Sequence, residues 1–97
     1  MSVELRPVVQ AFAEAMEEKL RKNDHRGVWD HTDYEYIWCD INRHLGKMTF
    51  SIHIGRDKGK ILADAADVAN LCMILCDILG VLPVTAIVER REESDER

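Results

Sequence analysis

The chain has 97 residues, of which 46% are hydrophobic and 32% are charged, and its formal net charge is −5. This length and apolar content predict one globular domain and argue against a disordered chain. An acidic chain is a poor partner for polymeric nucleic acid, because a phosphate backbone selects basic surfaces. No apolar run is long enough to span a bilayer and no secretory leader is recognisable, so we expect a cytoplasmic protein without a membrane partner.

Cysteine usage supports the same compartment. The three cysteines, Cys39, Cys72 and Cys76, are odd in number and form no CxxC pair, which argues against a disulfide framework and a zinc ribbon. Cys72 and Cys76 are four residues apart in an apolar run with helical spacing. We therefore expect both to be buried free thiols.

The first predicted helix covers residues 3–23. Its apolar side chains recur at helical spacing, and Pro7 falls in the first turns, where a missing N–H is tolerated. A loop is predicted for residues 24–30, because Gly27 and the Asn-Asp pair before it break the pattern. Trp29 lies in this loop, where an aromatic side chain either covers the edge of the core, the commoner case, or stacks on a ligand ring.

The second predicted helix begins at Thr32, which forms a capping box with Glu35. Residues 48–54 then alternate between apolar and polar side chains, as in a strand. A lone strand in so short a chain would have no partner, so we expect a helical or irregular continuation to Gly55. The apolar stripe of this helix comprises Tyr34, Ile37, Ile41, Leu45 and Met48.

The third predicted helix covers residues 60–79 and carries the strongest helical pattern. Gly80 is a plausible residue to terminate it, and Pro83 suits the first turn of a short fourth helix over residues 84–92. The polar residues 92–97 are expected to form a tail. The sequence therefore predicts an all-α fold, with one helical domain over residues 1–91.

Two carboxylates occupy unusual places on this third helix. Asp64 and Asp67 fall on the same arc of the helical wheel as its apolar residues, including Val68 and Leu71. Buried carboxylates are normally paired, protonated or bound to metal, and two that project together repel unless a cation lies between them. Alternatively, both lie in water at the open end of the bundle, near the favourable helix N-terminus. We favour the metal interpretation, because two such positions are harder to explain than one.

The second helix offers partners for these carboxylates. Asp40 and His44 are four residues apart on the apolar side of that helix, so a DxxxH pair would face the DxxD pair. Three carboxylates and an imidazole suit Mg²⁺ or Mn²⁺. A lone histidine on an apolar face is more often structural, so His44 becomes a candidate ligand only together with the three aspartates.

Residues 64–70, with the sequence Asp-Ala-Ala-Asp-Val-Ala-Asn, resemble the third-helix motif of the all-α NTP pyrophosphohydrolases. These are the MazG-like enzymes and their dimeric dUTPase and phosphoribosyl-ATP pyrophosphohydrolase relatives. Residues 12–20 and 23–29, with the sequences FAEAMEEKL and NDHRGVW, are similar to the phage and archaeal dATP/dGTP diphosphohydrolase branch. The resemblance covers about residues 10–80.

The resemblance implies a small dimerising bundle of the four-helix type, in which Mg²⁺ or Mn²⁺ holds a triphosphate and activates water. Asp64 and Asp67 match the ExxD element of the family, with Asp in place of the first Glu. The EExxE element does not match, because Arg43, His44 and Lys47 stand against its glutamates. Loss of these carboxylates would lower Mg²⁺ affinity, and Asp40, one turn earlier, compensates only in part.

Two hypotheses follow for function. The first is a metal-dependent pyrophosphohydrolase that converts a nucleoside or deoxynucleoside triphosphate to the monophosphate and pyrophosphate, with weakened or lost activity as an open outcome. Its metal ligands would be Asp64, Asp67 and His44, and Asp40 would be a catalytic base or an extra ligand. The candidate substrate-binding residues are Asn23, Trp29, Lys47, Lys60 and Asn70, of which Asn23 or Trp29 would contact the base and Lys60, or its neighbour Lys58, the phosphates. The second hypothesis is a non-catalytic helical module, a homodimer or higher homo-oligomer, that binds nucleotide or a protein partner.

Overall fold

The computed structural model describes residues 4–24 and 33–83, and the secondary structure in these two ranges is entirely helical. Helix α1 covers Pro7–Lys22, α2 covers Tyr34–Phe50, a π-helical turn covers Ser51–Gly55, and α3 covers Lys58–Ile78. The all-α prediction is confirmed for the described residues. None of the helices in these ranges combines the length and the apolar character needed to cross a bilayer.

Helix α1 is shorter at its N-terminus than the sequence pattern predicted. It begins at Pro7, whose ring fixes a helical φ and whose missing N–H costs nothing in the first turn. The helix ends at Asn23, where the side-chain Nδ2 donates to the carbonyl of Lys19 at 3.1 Å. Three basic residues in the last turn complement the negative end of the helix dipole.

Helix α2 begins one residue later than predicted. Its N-cap is Asp33, whose carboxylate accepts a hydrogen bond from the backbone N–H of Glu35 at 2.8 Å. The prediction of a cap at Thr32, which lies outside the described residues, was therefore wrong. Threonine and aspartate are both good caps, and the aspartate adds a negative charge at the positive end of the helix.

Residues 48–54 continue the helix, as predicted, although they alternate like a strand. The continuation takes the form of a π-helical turn, Ser51–Gly55, in which the N–H of Arg56 donates to the carbonyl of Ser51 at 2.7 Å. Arg56 then adopts a left-handed conformation with φ of 54° and ends the helix. This short reversal leads directly into α3.

Helix α3 has a defined cap at each end. The carboxylate of Asp57 accepts from the N–H of Lys60 at 3.1 Å at the start. At the other end Gly80 has a φ of 71°. Its N–H donates to the backbone carbonyl of Asp77, and the N–H of Val81 donates to the backbone carbonyl of Cys76. This is a Schellman motif, which confirms Gly80 as the terminating residue. The predicted fourth helix over residues 84–92 and the tail lie outside the described residues.

Helix α3 packs against both of the other helices. Ser51, in the π-helical turn after α2, contacts Asp64, and the earlier His44 contacts the later Asp67. Later residues along α2 and its π-helical turn therefore lie beside earlier residues of α3. Lys19 likewise contacts Asp67, whereas Met16 contacts the later Asn70. Both α1 and α2 therefore run antiparallel to α3, and the three helices enclose a groove.

The buried apolar core of the described residues is small, consisting of Ile37, Ile41 and Ala66. Both isoleucines belong to the predicted stripe of α2. Other apolar side chains of the helical stripes are 40–52% exposed. Each stripe is wider than the face that a single neighbouring helix covers. The exposed members are Val9, Tyr34, Leu45 and Leu79.

The cysteines of the described residues are free thiols, as predicted. The prediction that Cys72 is buried was wrong, because Cys72 is exposed and Cys76 only partly covered. Cys72 lies one heptad before the exposed Leu79, and residues seven apart share one face of a helix. The exposed part of this face is the C-terminal part of α3.

Candidate functional site

The groove between the three helices has a volume of about 440 Å³ and contains most of the candidate site residues. Its lining combines the C-terminal end of α1 with the middle of α2 and of α3. The sequence-predicted residues that line it are Asn23, Asp40, His44, Lys47, Asp67 and Asn70. Residues that were separated by up to almost fifty positions in the chain thus share one concave surface.

His44 stands between two carboxylates in this groove. Its Nε2 atom lies 3.9 Å from Oδ1 of Asp40, and its Nδ1 atom lies 3.9 Å from Oδ2 of Asp67. Nδ1 is buried and has no hydrogen-bond partner among the described residues. A buried polar atom without a partner is costly, so the site is suited to a ligand or ion that approaches this nitrogen.

Asp40 is already paired within its own helix. The Nε atom of Arg43, one turn later, donates to Oδ1 of Asp40 at 3.0 Å. The same guanidinium group comes within 3.4 Å of Nε2 of His44. Arg43, which stands in place of a family glutamate in the resemblance, therefore compensates the charge of Asp40 in the free protein.

Asp67 is paired with a residue that the sequence did not single out. Nζ of Lys19 on α1 lies 3.4 Å from Oδ1 of Asp67, and both side chains are largely covered. A weak signal existed, because Lys19 flanks the apolar stripe of α1, three residues after Met16. The apolar pattern within α1 does not predict which residue of α3 Lys19 contacts.

Asp64 does not share the groove with Asp67. It is only 4% exposed and accepts a hydrogen bond from Oγ of Ser51, which is fully buried in the π-helical turn. Residues three apart on a helix are rotated by about 60° from each other. This rotation directs Asp64 toward the π-helical turn and Asp67 into the groove.

Asn70 contributes an oriented amide to the groove. Its Nδ2 donates to the carbonyl of Met16 on α1 at 3.0 Å, which fixes the amide plane. The side chain is 5% exposed, and its buried Oδ1 has no hydrogen-bond partner in the described structure. Asn70 therefore lines the groove with an amide whose orientation is fixed by its contact with α1.

Two predicted substrate-binding residues are not placed at this site. Lys60 is exposed in the first turn of α3 and does not line the groove, although its backbone N–H is used in the cap of that helix. Trp29 lies outside the described residues. Lys47 lines the groove and can supply the positive charge that was expected of Lys60.

The predicted four-ligand metal cluster does not form as one group. Among residues 4–24 and 33–83, no three histidine, cysteine, aspartate or glutamate side chains lie close enough together to hold an ion. Oδ2 of Asp67 and the unpartnered Nδ1 of His44 lie 3.9 Å apart, so an ion placed between them would contact both. Mg²⁺ is commonly bound through one or two carboxylates together with water and substrate phosphates, and Asp67 would supply one such carboxylate.

Comparisons of the chain with models of protein families, with curated proteins and with solved structures found no match. The chemistry of the groove is therefore inferred from the side chains that line it. It combines cationic, anionic and amide groups with a few apolar ones. The cations are Lys19, Arg43 and Lys47, the carboxylates Asp24, Asp40 and Asp67, and the apolar residues Leu20, Leu71 and Ile74.

Proposed function

We propose that the groove binds a nucleoside or deoxynucleoside triphosphate together with Mg²⁺ or Mn²⁺, and that the protein hydrolyses it to the monophosphate and pyrophosphate. The observation that carries this proposal is the convergence of Asp40, His44 and Asp67 with Lys19 and Lys47 on one concave surface. Carboxylates and an imidazole suit the metal, and the lysines suit the phosphates. The proposed activity is that of the all-α NTP pyrophosphohydrolases.

Each group in the groove has a distinct task in this proposal. Asp67 and His44 would hold the ion, and Lys47 would attract the triphosphate. An ion held there would supply Lewis-acid polarisation of the phosphate and of the attacking water. Asp40, beside His44, accepts the proton of the attacking water, and pyrophosphate leaves with the electrons of the broken P–O bond.

The end of the groove around Asn70 suits the base of the nucleotide. Leu71 and Ile74 follow Asn70 along the same side of α3 and line the groove with Leu20 from α1. Ligand sites commonly combine such apolar walls with a few oriented polar groups. Asn70, whose amide is held by Met16, would be the oriented polar group beside the edge of the base.

The test is pyrophosphate release by the purified protein, measured with a panel of ribo- and deoxyribonucleoside triphosphates and with Mg²⁺ or Mn²⁺. We expect release with at least one nucleotide and its dependence on the metal. The absence of release for every pair of nucleotide and metal would refute the proposed hydrolysis.

A second candidate function is a non-catalytic module that binds nucleotide without cleaving it. The favouring observation is that every predicted carboxylate ligand has a partner within the chain. Asp40 is paired with Arg43, Asp67 with Lys19, and Asp64 with Ser51. Binding of a triphosphate without pyrophosphate release would identify this function.

We also propose that the described helices form part of a four-helix-type bundle that associates as a homodimer. On the helical wheel of α2, the exposed Tyr34, Trp38 and Leu45 continue the arc of the buried Ile37 and Ile41. Half of one apolar stripe is thus covered by α3, and half is open to solvent. A second copy of the chain would cover the open half, as small domains without disulfides commonly require.

A further inference from the structure

Lys19 places a positive charge at the position where the proposed function requires a metal ion. Its Nζ atom is 3.4 Å from Oδ1 of Asp67, with the two side chains 27% and 19% exposed. The other oxygen of the same carboxylate, Oδ2, faces the unpartnered Nδ1 of His44. The free protein therefore already holds one cation on its best candidate metal ligand.

This ion pair differs from the others on α1. Lys22 pairs with Glu18 at 3.7 Å and Arg21 pairs with Glu17 at 3.4 Å, but both pairs lie within the helix and are well exposed. Exposed ion pairs of this kind contribute little to the stability of a protein. The Lys19 pair instead joins α1 to α3 and lies in the wall of the groove. Among the ion pairs of α1 in the described residues, it is the one whose charge a ligand in the groove would meet.

We propose that Lys19 blocks Asp67 from a divalent ion in the nucleotide-free protein and moves to a phosphate oxygen when a triphosphate enters. This inference rests on the function proposed above. A divalent ion next to an ammonium group is repelled, and the low polarity of a partly covered site strengthens the repulsion. A triphosphate carries more negative charge than one carboxylate, and the flexible lysine stem allows the ammonium group to follow it.

The consequence is that metal and nucleotide bind as a pair rather than one after the other. In the absence of nucleotide, the ion must compete with Lys19 for Asp67 and binds weakly. When a phosphate takes up Lys19, both oxygens of Asp67 become available to the ion. By thermodynamic linkage, the metal must then raise the affinity for nucleotide by the same factor.

The test measures Mn²⁺ alone, without nucleotide, so that it does not depend on catalysis. Free Mn²⁺ is titrated by electron paramagnetic resonance against the wild type, Lys19→Met and the matched control Lys22→Met. Methionine retains the aliphatic stem but removes the charge. We expect Lys19→Met to bind Mn²⁺ about tenfold more tightly than the wild type, from loss of the nearby repulsion, and Lys22→Met to be unchanged.

The gained affinity must come from Asp67. We therefore expect the double variant Lys19→Met/Asp67→Asn to lose the tighter binding. Lys19→Gln is a second neutral variant, and circular dichroism and a thermal melt establish that each protein is folded. If neither folded Lys19 variant binds Mn²⁺ more tightly than the wild type, or if Lys22→Met gains as much, the proposal is wrong.

The outcomes separate this inference from the proposed function. Tighter Mn²⁺ binding by Lys19→Met, together with no pyrophosphate release by the wild type, supports the role of Lys19 and refutes hydrolysis. Pyrophosphate release by the wild type, without any gain in the Lys19 variants, supports hydrolysis and refutes the role of Lys19.

Discussion

The side chains of Ser51 and Asp64 show what a single buried hydrogen bond contributes to this fold. Asp64 lies almost completely out of water and accepts from the hydroxyl of Ser51, which is itself fully buried. The sequence indicated that Asp64 faces inward, because it falls among apolar residues on the helical wheel. It did not indicate Ser51 as the partner, since the π-helical turn that orients Ser51 leaves no recognisable pattern. The predicted metal ligand is thus engaged in a structural contact.

Replacing Ser51 with alanine should destabilise the protein. The change leaves the carboxylate of Asp64 buried without this donor, and we expect the free energy of unfolding to fall by about 1–3 kcal/mol. Chemical denaturation measures this quantity. Thr49→Ala is the matched control, because its hydroxyl is exposed and donates only to the backbone carbonyl of Leu45.

The control should change the free energy of unfolding by no more than about 0.5 kcal/mol. Asp64→Asn, which retains an acceptor for Ser51, should cost less than Ser51→Ala. Equal effects of Ser51→Ala and Thr49→Ala would contradict a structural role for the buried pair.

At the level of the helices, periodicity predicted the existence of α1, α2 and α3 because each carries an apolar stripe. Helix ends were less predictable where two adjacent residues compete. Thr32 and Asp33 are both suitable caps, and only the folded geometry shows that Asp33 accepts from Glu35. Gly80 was predictable as a terminus, because few residues adopt its positive φ without strain.

Alanine substitutions at two glycines should change the stability of the protein in opposite directions. Gly46 lies within α2, and a Cβ atom added there would contact nothing within 4 Å. Gly46→Ala should therefore raise the free energy of unfolding by about 0.8 kcal/mol, the difference in helix propensity. Gly80 also has open space but a φ of 71°, so Gly80→Ala should lower it by about 1 kcal/mol.

Both variants are compared with the wild type by thermal and urea denaturation. Because neither change creates a steric contact, the backbone conformation alone decides the sign. A destabilising Gly46→Ala or a stabilising Gly80→Ala would contradict the assigned helix and its terminus.

At the level of the whole molecule, the candidate site is a product of helix register. The sequence predicted that Asp40, His44 and Asp67 lie on the inward faces of their own helices, and all three line the groove. It did not predict Lys19 as the partner of Asp67, since the alignment of α1 along α3 depends on tertiary packing. The same packing separates Asp64 from the groove, which the spacing of three residues had suggested it would share.

The open half of the α2 stripe predicts self-association. Sedimentation equilibrium should give twice the chain mass of 11.2 kDa. Trp38 is 58% exposed in the open half, so Trp38→Gln should weaken the dimer by about tenfold or more, as expected for an aromatic residue at an interface. Val8→Gln, at an exposed site on α1, is the control that should leave the mass unchanged. A monomeric wild type would contradict the proposed dimer.

We propose that Asp67 and the groove around it bind metal and triphosphate for hydrolysis. The most direct test is pyrophosphate release from the wild type, Asp67→Asn and Asp57→Asn, each assayed with the nucleotide and metal that give the highest rate. Asp57 is the N-cap of α3 outside the groove, and asparagine caps a helix equally well. We predict that Asp67→Asn lowers the rate by about 100-fold or more, as loss of a metal ligand should, whereas Asp57→Asn retains it. Equal rates for Asp67→Asn and the wild type, or no release by the wild type, would contradict the account.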